Sequence, residues 1–389
     1  MTLVSALLGA ATAWLVFRLP GSVFAALGLP ALALLLTARR RPDRSTAPLW
    51  AFLAAALAAS ALAILARPPA TPPVNILTVT ATFAVFSAAV LCTARPERAA
   101  AAVMTSLYAA FGVTVLIGLG EVVTGFRLIA VLYPDASTLA VDDRFAVAAF
   151  FPNYNDFAVV AAMFALMTLT RLLLRPCARV TAAAHVVAFL VVSALIVLQG
   201  SRGALLALVV GSALVVVHAL RLTHPRLIQG RAVLIGGLAA ALLGLVAWSS
   251  PWLQDHSTSV REDIIANTLA LMPPTSAPFW VGWGDIAAFQ EAASTRFPDA
   301  LMDPHNIALE AFVWYGLPAC LLLAWLWLDV LRRGVWRLTI RPGWTHASAV
   351  HLMALMPVLG IVPSSSLRYY YLFVLAACAM AALTPREAR

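Results

Sequence analysis

The sequence predicts an all-α integral membrane protein with about twelve transmembrane helices and a large outer loop between the ninth and tenth spans. Of the 389 residues, 62% are hydrophobic and 11% are charged, whereas soluble domains contain about 25% charged residues. Apolar runs of about 17–25 residues, the length needed to cross a hydrocarbon core, recur along the chain. We therefore expect residues 1–389 to form a single polytopic membrane domain.

Hydropathy divides the chain into its predicted spans, with proline, glycine and arginine clusters at their boundaries. The spans cover approximately residues 2–17, 20–37, 49–66, 74–93, 101–120, 154–173, 181–199, 203–220, 232–248, 306–331, 346–361 and 367–384. Leu19-Pro20-Gly21, between the first two, is either a turn or a kink. Residues 2–17 lack the basic segment and cleavage site of a signal peptide, so we expect them to be a span.

The distribution of arginine predicts how the spans are oriented. The chain has 26 basic residues and a formal net charge of +9, and every basic residue is an arginine. Most of them lie in short loops, which is typical of the positive-inside rule and not of a nucleic-acid-binding groove. With the N-terminus inside, these loops fall on one face. Both termini are then inside, and residues 121–153 and 249–305 form two outer loops.

The cysteines indicate neither a disulfide framework nor a metal site. All four (Cys92, Cys177, Cys320 and Cys378) lie in apolar spans or on the arginine-rich side, away from an oxidising compartment. No pair has the spacing of metal ligands, and no Asp-x-Asp or His/Cys cluster stands out. We expect no metal and no other cofactor.

Polar residues gather where the even-numbered spans begin on the outer side. Asn153 precedes the sixth span, Ser201-Arg202 opens the eighth and His305-Asn306 the tenth. The twelfth begins at Ser366, within Ser364-Ser365-Ser366-Leu367-Arg368. Helix N-termini carry partial positive charge and free N–H donors, so they favour anions. The outer side also holds arginines, whose planar forks bind phosphate well; they include Arg144, Arg202, Arg261 and Arg368. The predicted site therefore suits a multiply charged phosphate ligand, such as a phosphate-bearing lipid.

Each of these residues also has a purely structural interpretation. Arg202 is also explained as a snorkelling anchor at the membrane boundary, and Arg261 as part of an intrahelical salt bridge. A lone His305 is more simply a core residue or a helix cap. The loop tryptophans belong to an interfacial aromatic belt, and residues 279–284 are expected to form a tight turn at a cavity wall. Their joint occurrence on one face favours a functional site.

Several motifs within residues 140–320 resemble those of the O-antigen ligase/polymerase superfamily. They are Phe151-Pro152-Asn153, Gly200-Ser201-Arg202-Gly203, Arg261 with Ile265, and His305-Asn306 followed after nine residues by Gly316. The family has Asn-Pro-Asn at the first of these. It has Leu where this chain has Ile265, and Gly, Thr or Tyr where it has Ala319.

The resemblance implies a WaaL-like O-antigen ligase, a glycosyltransferase of the bacterial inner membrane. Such enzymes move O-antigen polysaccharide from undecaprenyl diphosphate to lipid A–core oligosaccharide at the periplasmic face. Residues 121–153 and 249–305 would then be periplasmic loops, and both termini cytoplasmic. We expect a metal-independent, inverting reaction, with His305 as general base and Arg202 and Arg261 at the leaving diphosphate. Substrate binding is expected of Arg144, Asn153, Ser201, Asn306 and Arg368.

Three other functions remain open. An O-antigen polymerase uses the same donor with a lipid-linked acceptor, although the His-centred motif favours a ligase. A protein O-oligosaccharyltransferase shares that motif but usually carries extra soluble segments. A flippase or exporter of lipid-linked sugar needs charged residues along a path across the membrane, and the predicted spans are almost free of charge.

Overall fold

In the computed structural model of the protein, the described residues are 3–17, 22–37, 43–66, 76–132, 147–151, 153–175, 177–223, 256–284, 286–298, 304, 306–336, 340, 343–362 and 371–384. These residues are mostly helical, and no strand occurs among them. Six of the described helices are long and apolar enough to cross a membrane. The prediction of an all-α membrane protein is confirmed.

The helices follow one another along the described parts of the chain with the bounds given next. They are α1 (Leu3–Val16), α2 (Ser22–Thr37), α3 (Ala47–Ala66), α4 (Ile76–Leu91), α5 (Pro96–Thr124), α6 (Leu128–Leu132), α7 (Tyr154–Leu174), α8 (Arg179–Leu198), α9 (Arg202–Thr223), α10 (His256–Leu271), α11 (Ala277–Val281), α12 (Ile286–Arg296), α13 (Ile307–Val330), α14 (Trp344–Ala354), α15 (Met356–Leu359) and α16 (Tyr371–Leu383). A 3₁₀ turn (Arg44–Thr46) leads into α3, and a π-helical segment (Leu331–Trp336) continues α13.

Most of the predicted spans correspond to these helices. The long ones are α3, α5, α7, α8, α9 and α13 with its extension, while α1, α4, α16 and part of α2 are shorter apolar helices. The predicted ninth span, residues 232–248, lies outside the described residues. The total of twelve spans and the large loop before the tenth span therefore stay predictions.

Two helix boundaries differ from those predicted. Helix α5 continues past residue 120 to Thr124, which places Glu121 on a helix. The predicted eleventh span, residues 346–361, is two helices that are separated at Leu355. Pro357 accounts for the separation because proline lacks the N–H group that would continue the hydrogen-bond ladder of α14.

An aromatic cluster joins α3, α4, α13 and α16. Phe83 stacks on Phe373 with ring centroids 3.9 Å apart, and Phe52 lies 6.0 Å from the same ring. Tyr315 meets Phe52 edge-on, and its hydroxyl oxygen is 2.9 Å from that of Thr80. Helices in lipid are held together mainly by close packing and interhelical hydrogen bonds, and this cluster supplies both.

Polar pairs fasten the helix ends on the predicted inner side. Near the end of α13, Asp329 accepts a hydrogen bond of 2.9 Å from Arg332 and forms an ion pair with Arg333. His218 of α9 and His351 of α14 are both buried, with Nδ1 and Nε2 2.6 Å apart. Ionisable groups inside a membrane protein are tolerated when they pair in this way. These pairs fix the ends of α9, α13 and α14 that lie opposite the predicted site.

Candidate active site

The beginning of α13 is held by a side chain and by a distant carbonyl. Asn306 is the N-cap, and its Oδ1 accepts hydrogen bonds from the N–H groups of Ala308 (2.8 Å) and Leu309 (3.3 Å). The N–H of Ile307 donates to the carbonyl of Gly360 over 3.0 Å. The predicted helix start at His305-Asn306 is confirmed by this cap. His305 itself lies outside the described residues.

Residues 360–362, which we call the convergence segment, contact three of the predicted site elements. Besides the bond from Ile307 to Gly360, the guanidinium of Arg261 donates to the carbonyl of Ile361 over 3.1 Å. A methyl group added at Gly203 would lie 2.6 Å from Val362 Cγ2, so the first turn of α9 touches this segment. The starts of α9 and α13 and the side chain of Arg261 therefore meet at three consecutive residues. The chain then continues into residues 363–370, where Arg368 lies outside the described residues.

A second group of contacts joins the start of α7 to the turn before α9. Asn153 caps α7 and accepts a hydrogen bond from the N–H of Asn155 over 2.8 Å. The hydroxyl of Ser201 donates to Oδ1 of Asn155 over 3.1 Å. Two predicted binding residues, Asn153 and Ser201, are thus connected through one asparagine. The predicted binding residue Arg144 lies outside the described residues.

The helix starts differ in whether their N–H groups are available to an anion. The expectation that they are all free is not met at α13, because Asn306 and Gly360 occupy the N–H groups of its first three residues. At α9, the N–H groups of Gly203 and Ala204 make no hydrogen bond to any described part of the chain. Helix dipoles favour anions where such donors are unoccupied. Of these two described starts, that of α9, next to Arg202, is therefore the better suited to a phosphate group.

The glycine of the His-centred motif breaks α13 and receives another part of the chain. Gly316 has φ 76° and ψ 178° inside α13, a left-handed conformation that favours glycine. A methyl group there would lie 2.3 Å from the carbonyl oxygen of Trp280, and one at Gly282 would lie 2.3 Å from that of Trp314. The two backbones touch, and the N–H of Trp283 donates to the carbonyl of Val313 over 2.8 Å.

This junction explains the nine-residue spacing to Gly316. With a rise of about 1.5 Å per residue, Gly316 lies about 14 Å along the axis from the start of α13. Pro318 has no N–H for the carbonyl of Trp314, so the helix is broken there in any case. The part that packs into the break is segment 277–284, which contains residues 279–284, the expected turn at a cavity wall. Irregular backbone at this depth is tolerated where protein covers it.

The tryptophans of this region only partly follow the expected aromatic belt. Trp283 belongs to the junction, whereas Trp280 is 52% exposed and donates its indole N–H to the carbonyl of Pro274 over 3.0 Å. Trp248 and Trp252 lie outside the described residues.

Three residues of this region were not predicted from the sequence. Glu121 and Gln199 hold the segment before α7, and Gly360 accepts the hydrogen bond from α13. A single carboxylate at the end of the apolar helix α5 was a usable signal for Glu121. Gly360 acts through its carbonyl oxygen. Because every residue has one, the residue type at this position does not reveal its role.

Residues 187–324 match a family model described as O-antigen ligase. Over these residues, about a third of the chain, the protein is similar to the O-antigen ligase family. The matched segment contains Ser201, Arg261, Asn306 and Gly316, whose contacts are described above. It also contains Arg202, at the start of α9, and His305. Asn153, Arg144 and Arg368 lie outside the match. No curated protein matches the chain.

The similarity to this family, together with the helices that are long and apolar enough to cross a membrane, favours a glycosyl transfer of the ligase or polymerase type. The family covers both O-antigen ligases and related polymerases. The contacts of the convergence segment bring Arg261 and the first turn of α9, where Arg202 lies, to the same three residues.

Proposed function

We propose that the protein is an O-antigen ligase that transfers O-antigen polysaccharide from undecaprenyl diphosphate to lipid A–core oligosaccharide at the periplasmic face of the inner membrane. The observation that carries the proposal is the convergence of α9, Arg261 and α13 on residues 360–362. Elements that are far apart in the chain and carry separate family motifs meet there. A site for two large lipid-linked substrates needs such a meeting point near the end of several helices.

The diphosphate of the donor is the leaving group, and its charge rises as the glycosidic bond breaks. Arg202 and the N–H groups of Gly203 and Ala204 supply positive charge and donors at one helix start. Arg261 is anchored through the Ile361 carbonyl, and a guanidinium offers five N–H donors in a fixed fork. Stabilising developing charge with groups already in place is usually the largest contribution to catalysis.

The acceptor hydroxyl must lose a proton as it attacks the anomeric carbon. We assign that proton to His305, the residue that precedes the cap of α13, because imidazole titrates near neutral pH. The bond between the anomeric carbon and the diphosphate oxygen breaks while the bond to the acceptor oxygen forms, so the configuration inverts. A general base of this kind contributes about 10²- to 10⁴-fold.

The remaining predicted residues support binding. Asn306 fixes the start of α13, and Asn153 and Ser201 fix the starts of α7 and α9. Arg144 and Arg368 are proposed to bind the donor on the basis of the sequence alone. The reaction is proposed to need no metal, because the arginines can carry the role that a cation has in other glycosyl transfers.

The test is a transfer assay with purified protein in detergent. Donor polysaccharide on undecaprenyl diphosphate is incubated with lipid A–core in the presence of EDTA, and long-chain lipid A–core is detected on a gel. We expect product with this acceptor, and we expect none when lipid A–core is replaced by lipid-linked repeat unit. Product only with the lipid-linked acceptor would instead establish a polymerase, and product only with a peptide acceptor an O-oligosaccharyltransferase. A need for added metal would contradict the metal-independent mechanism. In a separate assay with the protein in vesicles, movement of the donor across the membrane without transfer would indicate a flippase.

A further inference from the structure

Glu121 closes the first predicted outer loop with its carboxylate. Its side chain is 2% exposed. Oε1 accepts a hydrogen bond from the N–H of Leu128 over 2.8 Å. Oε2 accepts from Ala148 and Ala149 over 3.2 and 3.1 Å. The end of α5 is thereby bonded to Ala148 and Ala149. These two residues belong to a segment, residues 147–151 and 153–155, that we call the strap.

The strap is bent sharply where the carboxylate holds it. Ala149 has φ 50°, the one positive value for a non-glycine residue among those described. Left-handed backbone is unfavourable for alanine and persists where the surroundings impose it. The consecutive N–H groups of Ala148 and Ala149 point to a single carboxylate oxygen, as in backbone nests that bind anions. Glu121 therefore maintains this conformation.

Gln199 holds the strap from the other side. Its Nε2 donates to the carbonyl oxygens of Val147 and Tyr154, each over 2.8 Å, and so joins the two ends of the strap. The side chain is 8% exposed. Its Oε1 is buried without a hydrogen-bond partner in the described part of the protein. A buried acceptor left unsatisfied is unfavourable. The oxygen of this amide therefore does not account for glutamine at this position, whereas the two hydrogen bonds from Nε2 do.

The same turn leads directly into Arg202. Two residues after Gln199, the hydroxyl of Ser201 bonds to Asn155 of the strap. The strap and the first turn of α9 therefore form one hydrogen-bonded unit, with Glu121 at one end and the N–H groups of Gly203 and Ala204 at the other.

We propose that Glu121 and Gln199 are positioning residues of the transfer site. They hold the strap against the first turn of α9 and so fix the placement of Arg202 and the adjacent N–H groups relative to the leaving diphosphate. This inference rests on the proposed function, because it assigns the diphosphate to the start of α9. Neither residue contacts the substrate in this account.

The test is a double-mutant cycle between Gln199→Met and Arg202→Ala, measured as donor kcat/KM in the detergent assay. Methionine keeps the length of the side chain and removes its donors. We expect Gln199→Met to lower donor kcat/KM by about 10- to 100-fold, since a displacement of about 1 Å has effects of this size. The KM for lipid A–core should not change. In the Arg202→Ala background the same substitution should have little further effect, because coupled residues are not additive.

Glu121→Gln tests the other end of the strap. It also tests the positioning role if Gln199→Met does not fold. The amide presents an NH₂ where a carboxylate oxygen now accepts, so the same pattern of loss is expected. Ser193→Ala and Thr114→Val are matched controls, because these buried or half-buried hydroxyls bond only to carbonyls of their own helices, α8 and α5. Both controls should transfer at the rate of the unaltered protein.

Two results are distinguishable. Additive losses in the cycle, or unaltered transfer by both Gln199→Met and Glu121→Gln, would overturn the positioning role while leaving the proposed function in place. Failure of the unaltered protein to transfer to lipid A–core would overturn the proposed function and this inference with it.

Discussion

Arg202 begins α9 between two residues that are held in place. Ser201 is bonded to Asn155, and the backbone of Gly203 touches Val362. The backbone of Arg202 is thereby fixed on both sides, which limits where its long side chain can reach. A backbone that is already held in place leaves less to be ordered when the side chain meets a ligand, which favours electrostatic catalysis.

Arg202→Ala should lower kcat/KM for transfer by about 10²- to 10³-fold, as loss of a preorganised charge-stabilising donor does elsewhere. Arg202→Lys should recover part of the activity, because an ammonium group keeps the charge but lacks the bidentate fork. Arg296→Ala is the matched control. Arg296 is an exposed arginine on the same predicted side, and it donates to the carbonyl of Ala270. Equal losses for both alanine variants would contradict a specific role for Arg202.

Asn306, the residue that follows the proposed base, caps α13 with its side chain. Asn306→Ala should lower the free energy of unfolding by about 1 kcal/mol, because the N–H groups of Ala308 and Leu309 lose their acceptor. Asn306→Ser should retain most of that stability, since serine also caps helices well. Denaturant titration in detergent measures both. An alanine variant as stable as the serine variant would show that the cap contributes little.

At the scale of helices, the junction between α13 and segment 277–284 couples the predicted outer loop to the helix that follows His305. The break at Gly316 permits the contact, and the hydrogen bond from Trp283 to Val313 completes it. Movement of the loop that carries Arg261 would therefore be transmitted to α13 through backbone contacts.

Gly316→Ala should disrupt this junction. The added methyl group would meet the Trp280 carbonyl at 2.3 Å, and alanine disfavours φ 76°. We expect a loss of stability of about 1–3 kcal/mol together with weaker transfer. Gly120→Ala is the control, because a methyl group at that glycine of α5 has no neighbour within 4 Å. It should be neutral or slightly stabilising. A melting temperature of Gly316→Ala equal to that of the control would contradict the proposed packing.

The paired imidazoles of His218 in α9 and His351 in α14 lie on the predicted inner side, away from the proposed site, and are expected to affect stability and not substrate binding. His351→Phe should destabilise the protein by about 1–3 kcal/mol, because His218 is left buried without its partner. Replacing both histidines by phenylalanine should be less harmful than the two single losses added together. The residual transfer activity of each folded variant should keep the unaltered KM. A changed donor KM would mean that the pair acts on the substrate site.

Helix starts could be predicted from the sequence, and their convergence could not. Asn153, Arg202 and Asn306 stand where capping chemistry and hydropathy change together, and α7, α9 and α13 begin there. The convergence segment is joined by backbone carbonyls and by a glycine contact between residues distant in the chain. Carbonyl acceptors have no residue-type signature, so neither Gly360 nor Ile361 was a predictable member of the site. The strap could not be predicted either, because Glu121 and Gln199 bind its backbone N–H groups and carbonyls, which every residue type supplies.

At the scale of the whole molecule, the arginine distribution predicts which ends of the helices face the cytoplasm. The described helices place Asp329 with Arg332 and Arg333, and His218 with His351, at the ends opposite the convergence segment. One set of polar contacts thus lies near Asp329 and His218, and another holds the convergence segment. This arrangement is expected of a protein whose inner end is fastened and whose outer end binds substrates.

Cys177, exposed in the connection between α7 and α8, tests this orientation. A membrane-impermeant maleimide should label it in inside-out vesicles and not in intact spheroplasts. Ser294→Cys in a Cys177→Ser background should show the reverse, because Ser294 is exposed on α12 in the predicted outer loop. Labelling of Cys177 from the outside would contradict the predicted topology and with it a periplasmic site.

His305, the residue before the cap of α13, is proposed to act as the base in glycosyl transfer to lipid A–core. The most direct measurement is the rate at which His305→Ala forms long-chain lipid A–core in the detergent assay, with donor binding followed in parallel. We predict that donor binding persists while the rate falls by about 10²- to 10⁴-fold, the usual contribution of a general base. Transfer by His305→Ala at the rate of the unaltered protein would contradict the account.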